Sequence, residues 1–172
     1  MLVMTVIGPD RPGLVDSIAQ IVVEHGGNWL ESRMARLGGQ FAGILRVELP
    51  SDNEPALVSR LKQLESRGLS VVTHLDRPLS AAPSSRLSTL EIVGHDRPGI
   101  VRQISHTLAT YGVNVEELHT ECDSAAMSGE ILFKARARLN IPDSCDIARL
   151  RLDLEQIAAD LIVDISLAAI AS

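Results

Sequence analysis

The sequence contains itself twice. Met4 to Met34 (MTVIGPDRPGLVDSIAQIVVEHGGNWLESRM) aligns without a gap to Leu90 to Thr120 (LEIVGHDRPGIVRQISHTLATYGVNVEELHT), an offset of 86 residues. Identical pairs include Gly8/Gly94, Asp10/Asp96, Arg11/Arg97, Pro12/Pro98, Gly13/Gly99, Val15/Val101, Ile18/Ile104, Gly26/Gly112 and Asn28/Asn114. Gly43 and Gly129 keep that offset, whereas Pro50 meets Pro142 at an offset of 92, so the second copy is slightly longer. Repetition on this scale marks a tandem duplication. The fold must therefore be a small unit that is stable in less than half of 172 residues.

Between the copies, Arg77-Pro-Leu-Ser-Ala-Ala-Pro-Ser-Ser-Arg86 holds two prolines and three serines and little apolar content, which reads as a semi-stiff linker. The expected organisation is one domain over 1–78, a linker over 79–86 and a second domain over 87–172. Each copy shows the same order of elements. Leu2 to Ile7 and Leu87 to Val93 are short β-branched-rich runs and predict strands. Leu14, Val15, Ile18, Ile21 and Val22 share one helical face, as do Ile100, Val101, Ile104 and Leu108. Gly26 and Gly112 follow where a helix end favours positive φ.

A strand is predicted from Asn28 to Leu37, and Gly38-Gly39 turns it into the alternating run Phe41, Gly43, Leu45, Val47, Leu49. Ser51-Asp-Asn-Glu54 has the spacing of a capping box and predicts the start of a second helix, with Leu57, Val58, Leu61 and Leu64 on one face. Its counterpart carries Ile147, Leu150, Leu154, Ile157, Ala158 and Leu161. Closing strands are expected near Leu69 to Leu75 and Ile162 to Leu167. The order βαββαβ defines an α+β fold, two ferredoxin-like units in tandem, each an antiparallel sheet with both helices on one face.

Composition narrows the function. Sixteen Lys+Arg against 22 Asp+Glu give a net charge of −6, which disfavours direct nucleic-acid binding through phosphates. Four aromatics, Trp29, Phe41, Tyr111 and Phe133, are too few for base-stacking platforms or aromatic cages. Two cysteines, Cys122 and Cys145, make no disulfide scaffold, and no apolar stretch nears the roughly 20 residues that span a bilayer. No secretory signal pattern opens the sequence, so the expectation is a cytoplasmic, reduced, soluble protein with no membrane partner.

The DRPG turn is the chemical feature. Proline keeps Arg11 and Arg97 out of helical conformation, and Pro12 and Pro98 are predicted at the first helical position. The amides of Gly13 and Leu14, and of Gly99 and Ile100, would then stand unpaired at a helix N-terminus that favours an anion such as a carboxylate. Asp10 and Asp96 would either cap those amides or receive an ammonium group, and Asn28 and Asn114 would add a neutral amide. Together these groups suit an α-amino acid zwitterion; equally, they make a good helix start with no ligand at all. A ligand as small as glycine is bounded at about −7.5 kcal/mol. The dissociation constant is then no tighter than about 3 μM.

The DRPG-[Leu/Ile]-Val motif after the first strand, with Gly-x-Asn before the second, resembles the tandem ACT-domain proteins over the whole chain. In copy one, DRPGLV followed by NWLESRMARLGGQF is similar to the glycine cleavage system transcriptional repressor family. That resemblance implies an amino-acid-responsive regulator that represses transcription by contacting a DNA-binding activator protein, without binding DNA itself. It implies a ligand site at Asp10, Arg11, Pro12, Gly13, Leu14 and Asn28, and at Asp96, Arg97, Pro98, Gly99, Ile100 and Asn114, for glycine or serine. Copy two departs from the pattern: Asn114-Val-Glu-Glu-Leu-His-Thr lacks the Glu-Ser-Arg run, and Ser124-Ala-Ala-Met-Ser-Gly129 is a longer hairpin. The alternative is a ligand-free interaction module.

No cofactor, metal site or enzyme is expected. There is no nucleophile elbow, Walker loop or dinucleotide fingerprint, and Glu116 and Glu117 are adjacent on a predicted strand and face apart. His119 and Cys122 have ligand-like spacing with no second pair beside them, and His25, His74, His95 and His106 stand alone. Cys145 at a predicted helix start lacks a base. Exposed sheet edges favour pairing, so the two copies are expected to pack together and the chain to form a homodimer.

Overall fold

The computed structural model describes residues 1–76, 84–124 and 130–170. The chain divides into two compact units, Met1–Leu79 and Ser80–Ser172. Unit one runs β1 (Leu2–Pro9), α1 (Leu14–Glu24), β2 (Asn28–Leu37), β3 (Gln40–Glu48), α2 (Glu54–Lys62) and β4 (Ser70–Leu75). Unit two runs β5 (Ser85–His95), α3 (Ile100–Thr110), β6 (Asn114–Ser124), β7 (Ile131–Pro142), α4 (Ile147–Leu161) and β8 (Val163–Ala169). The two sheets have the orders β2-β3-β1-β4 and β6-β7-β5-β8, antiparallel at every pairing. This is the α+β, βαββαβ fold expected from the sequence. Most of the linker, residues 77–83, and the hairpin tip at 125–129 lie outside the described residues, and β5 begins at Ser85.

Each core forms where period two meets period 3.6. Leu2, Met4 and Val6 of β1 face Leu14, Ile18, Ile21 and Val22 of α1 and Leu57 and Leu61 of α2, all buried. Unit two repeats this with Leu90 and Ile92 against Ile100, Ile104, Leu108, Leu150 and Leu154. Each such side chain contributes about 1.5–3 kcal/mol through burial. The opposite sheet faces differ. That of unit one exposes Ile7, Ile44 and Val72. That of unit two is laced by Arg136–Glu91 at 2.8 Å and Lys134–Asp123 at 2.9 Å.

Both first helices end alike. The Gly26 amide donates to Val23 O and the Gly27 amide to Val22 O, and Gly112 and Val113 repeat those bonds to Ala109 and Leu108. Gly26 and Gly112 have φ of 69° and 68°, as the sequence predicts. The β2–β3 turn carries Gly38 and Gly39 at φ 57° and 77°, the signs that a two-residue hairpin demands.

Two sequence readings are corrected. The Ser51-to-Glu54 capping box does not form: Ser51–Asn53 is a 3₁₀ turn, α2 begins at Glu54, and no side chain caps it. Asn53 instead donates to the His25 carbonyl, tying the start of α2 to the end of α1. The Gly43/Gly129 match is also not structural. Gly43 faces Met34 across β2 and β3, and the equivalent pair in unit two is Thr120 and Ala135. A Cβ on Gly43 would lie 2.5 Å from Met34 Cγ. Where threonine replaces methionine there is room for alanine. The extra residues of copy two therefore fall between β6 and β7, at 125–130.

Among the described residues one non-glycine position has positive φ. Gly68 before β4 has φ 80°, while Ile162 at the matching site before β8 has φ 56°. A β-branched residue pays heavily for the left-handed region. Ile162→Gly removes that strain from a side chain 59% exposed, and should raise the stability of unit two by about 1 kcal/mol. Urea unfolding read on that unit would register it as a higher midpoint; an unchanged or lower midpoint would mean that packing of the isoleucine outweighs the strain.

Candidate functional site

The site begins where the central strand stops. Gly8 lies so close to the start of β4 that a Cβ would stand 2.5 Å from Gly68 O; Gly94 is equally tight against Val163 and Ile162. The chain must leave the sheet there, and Asp10 to Gly13 forms the exit turn. The helix then begins one residue later than the prolines imply. Gly13 and Gly99, not Pro12 and Pro98, immediately precede it, at φ 87° and 99°. This corrects the expected first helical position. An L side chain is disfavoured at either glycine by φ alone, since a Cβ on Gly13 would meet nothing within 4 Å.

The first bond of α1 runs from Ser17 N to Gly13 O at 2.9 Å, and that of α3 from Gln103 N to Gly99 O at 2.9 Å. The amides of Leu14, Val15 and Asp16, and of Ile100, Val101 and Arg102, thus lie outside the helices' own ladders. No side chain caps either helix. The possibility that Asp10 and Asp96 act as caps is therefore not realised. Leu14 and Ile100 are core residues, so only their backbone amides could serve a ligand.

The two turns differ in their surroundings. In unit one the Asp10 amide donates to Gly39 O, and its carboxylate accepts from Arg36 Nε at 2.8 Å. Arg11 donates to Arg67 O at 2.9 Å. The turn is thus clasped between the β2–β3 hairpin and the segment before β4. With side chains 70% and 34% exposed, the Arg36–Asp10 pair stabilises by no more than about 1 kcal/mol. In unit two Cys122 stands where Arg36 would be. The Asp96 amide reaches Ile131 O, and among the described residues the side chains of Asp96 and Arg97 have no hydrogen-bond or ion-pair partner.

Asn28 and Asn114 do not join the turns within their own units. Pro9 pairs with Gln40, whereas Asn28 pairs with Glu48, eight residues farther along β3. That separation is about 27 Å along a strand. Asn114, opposite Asn140, is equally far from the turn end of β7, where His95 meets Leu132. The candidate set thus splits into a turn group and two remote asparagines. The reason is topological: β2 runs parallel to β1, so its start lies at the end of the sheet where β1 also starts. Arg36, Arg67 and Gly39 are the neighbours that sequence reasoning missed. Counting back in register from Gly38-Gly39 would have found Arg36; Arg67 carries no local signal.

Other candidates separate in the same way. His119 and Cys122 are three apart on a strand and face opposite sides, and among the described residues no group of three or more His, Cys, Asp or Glu could hold a metal. Cys145 precedes Asp146, whose carboxylate accepts from the Arg149 amide and so caps α4. Burial, and then the Asp146 charge, push the Cys145 thiol up, against thiolate chemistry. At pH 8, iodoacetamide should therefore label exposed Cys122 several-fold faster than Cys145, a ratio that peptide mass mapping reads directly.

A pair of βαββαβ units, each with an uncapped helix behind a glycine turn, defines a class of regulatory module. The chain belongs to the ACT-domain family, whose model matches residues 1–74 and 89–168. It is similar to the glycine cleavage system transcriptional repressor of Escherichia coli (strain K12), 24% identical over 93% of this chain and 85% of that protein. It also matches phosphoserine phosphatase SerB2 of Mycobacterium tuberculosis, 24% identical over 96% of this chain but 40% of that protein. The crystal structure of an unknown protein from Galdieria sulphuraria is 31% identical, with a TM-score of 0.85 over 99% of this chain and 98% of that one. The chain is thus a tandem ACT-domain protein distantly related to the repressor. Among the described residues no helix is long and apolar enough to cross a membrane.

Proposed function

We propose that this chain is an amino-acid-responsive repressor of the glycine cleavage system that acts by contacting a DNA-binding activator protein rather than DNA. The observation that carries this reading is the pair of uncapped helix starts behind the DRPG turns. They occur in a chain related over both units to a repressor of that system. The excess of acidic residues favours a protein partner over nucleic acid. The reading takes the regulator as cytoplasmic, homodimeric and without catalytic activity, with the expected units at 1–78 and 87–172 around a linker at 79–86, whose last two residues, Ser85 and Arg86, pair in β5 and so extend the second unit.

Unit two is the working copy in this reading. The helix amides at Ile100 and Val101 receive the ligand carboxylate, and Asp96, with no side-chain partner among the described residues, receives the ammonium. A small ligand such as glycine or serine leaves little else to recognise. For unit one a ligand-free structural role is favoured, because Arg36 already engages the Asp10 carboxylate.

Calorimetric titration with glycine, and with serine as comparator, tests this directly. The expected result is saturable heat with a dissociation constant weaker than about 3 μM. Asp96→Asn should weaken binding at least about tenfold, while Asp10→Asn leaves it little changed. Both substitutions keep the turn backbone, which Gly→Val at φ near 90° would strain. Absence of heat up to about 10 mM ligand, a limit of roughly −2.7 kcal/mol, would overturn the sensor and leave an interaction module. Light scattering at micromolar concentration tests the dimer; a monomer mass would refute it.

A further inference from the structure

The closing strand of unit one, β4, is an edge of its sheet, as β8 is in unit two. In an antiparallel ladder the backbone groups of successive residues point to alternate sides of the strand. The Asp76 amide donates to the Met1 carbonyl, so the amides and carbonyls of Val71, Thr73 and Leu75 point off the sheet. Beside them, between α2 and β4, lies an open groove of about 470 Å³ lined by Glu54, Pro55, Val58, Ser59, Lys62 and Thr73.

In unit two the same place is closed. The Ile170 amide donates to the Leu87 carbonyl, which turns the Leu167 carbonyl outward, and Arg151 Nη2 donates to that carbonyl at 3.0 Å. Thr73 opposite Met4 matches Leu167 opposite Leu90. The buried pairs Leu57/Leu61 and Leu150/Leu154 are equivalent, and they put Val58 where Arg151 stands. Asp164 adds a charge to β8, whereas Ser70–Leu75 carries no Asp, Glu, Lys or Arg. Charge is a usual guard of an edge strand against pairing, and β4 lacks it.

The groove is complementary to itself. Glu54, Val58 and Lys62 are spaced four apart and share one face of α2. A two-fold axis beside Thr73, perpendicular to the sheet, would set two copies of β4 antiparallel, Thr73 against Thr73 and Val71 against Leu75. These are the residues whose backbone groups point outward, and the Leu75 side chain is 58% exposed. The same axis turns α2 end for end about Val58, so Glu54 of each copy meets Lys62 of the other and Val58 meets Val58. Among the described residues neither the Glu54 nor the Lys62 side chain has a hydrogen-bond or ion-pair partner in its own chain.

We propose that the β4 edges of two copies of this chain pair antiparallel about Thr73, joining the sheets of two first units into one, with the two α2 helices antiparallel beside the junction. Main-chain hydrogen bonds hold this isologous contact, and the crossed Glu54–Lys62 pairs fix its register. The inference rests on the homodimer taken in the proposed function, and it names the surface that forms it.

Sedimentation equilibrium of the full chain at low salt reads the dimer dissociation constant. Glu54→Lys and Lys62→Glu each set like charges opposite one another twice in the dimer, and each should weaken it at least about tenfold. The double variant restores opposite charges and should return the constant to within about threefold of the parent. Neither position is buried, so folding is kept. Val58→Arg copies unit two and should weaken the dimer about tenfold; if it misfolds, the charge swap still decides. Hydrogen exchange gives the local readout: the Val71, Thr73 and Leu75 amides should exchange slowly in the dimer and fast in each single reversal. A dimer that ignores both reversals, a double variant that does not recover, or fast exchange of these amides in the parent dimer would each overturn the β4 contact and leave a homodimer formed elsewhere. A monomer mass defeats the contact and the homodimer together, while glycine titration of the same samples judges the sensor on its own.

Discussion

Both units depend on one close approach, the passage of the central strand's last glycine against the start of the closing strand. Gly8 and Gly94 admit no Cβ there, because the carbonyl of residue 68 or 162 occupies the space. That contact fixes where the chain leaves the sheet, hence where the exit turn and the helix after it begin. The residue just before the one that faces the glycine has positive φ, Gly68 in one unit and Ile162 in the other. The exposed turn that carries the candidate site is thus a consequence of packing at the far edge of the core. Its amides point outward because the strand cannot continue and the helix has not yet started bonding to itself.

The duplication acts as an internal control on which features the backbone requires. Positive φ before α1 and α3 and after both helices is met by glycine in each copy. The β-bulge recurs in the edge strand at the same register. Side chains around these fixed points have exchanged volume in compensating pairs. Met34 opposite Gly43 becomes Thr120 opposite Ala135, a smaller side chain facing a larger one. Trp29 opposite Val47 and Ser32 opposite Leu45 likewise become Val115 opposite Leu139 and Leu118 opposite Ala137, and in unit two a cavity of about 30 Å³ lies along this seam.

Much of this architecture was legible in the sequence because it rests on local periodicity. β2 spans Asn28 to Leu37 as the alternation and the Gly38-Gly39 turn require, and the Gly26 and Gly112 helix ends follow from backbone sterics. The site was legible only as far as the turn itself. Its neighbours Arg36 and Arg67 come from residues 26 and 56 positions beyond Asp10 and Arg11, and only register and topology bring them close. Asn28 misled for the same reason: nearness along the chain places it just past α1, while the crossover carries it to the other end of the sheet. The capping box at Ser51 fails because Ser51–Asn53 closes as a 3₁₀ turn, with the Asn53 amide on the Pro50 carbonyl, and the Asn53 side chain is drawn to the His25 carbonyl, a tertiary contact outside the four-residue pattern.

The charge asymmetry at the aspartates of the two turns follows from one exchange on the edge strand. Arg36 in β2 becomes Cys122 in β6, and with it the cation that engages the aspartate of the turn is lost. An exposed ion pair adds little to stability, so its removal costs the fold almost nothing. Its effect on recognition is larger. An aspartate already balanced by a guanidinium offers a weak field to an incoming ammonium, whereas one without that neighbour offers its full charge beside amides suited to a carboxylate. In the proposed reading, this arginine-to-cysteine difference divides labour between two turns of like backbone, one held by the protein itself and the other open to a small molecule.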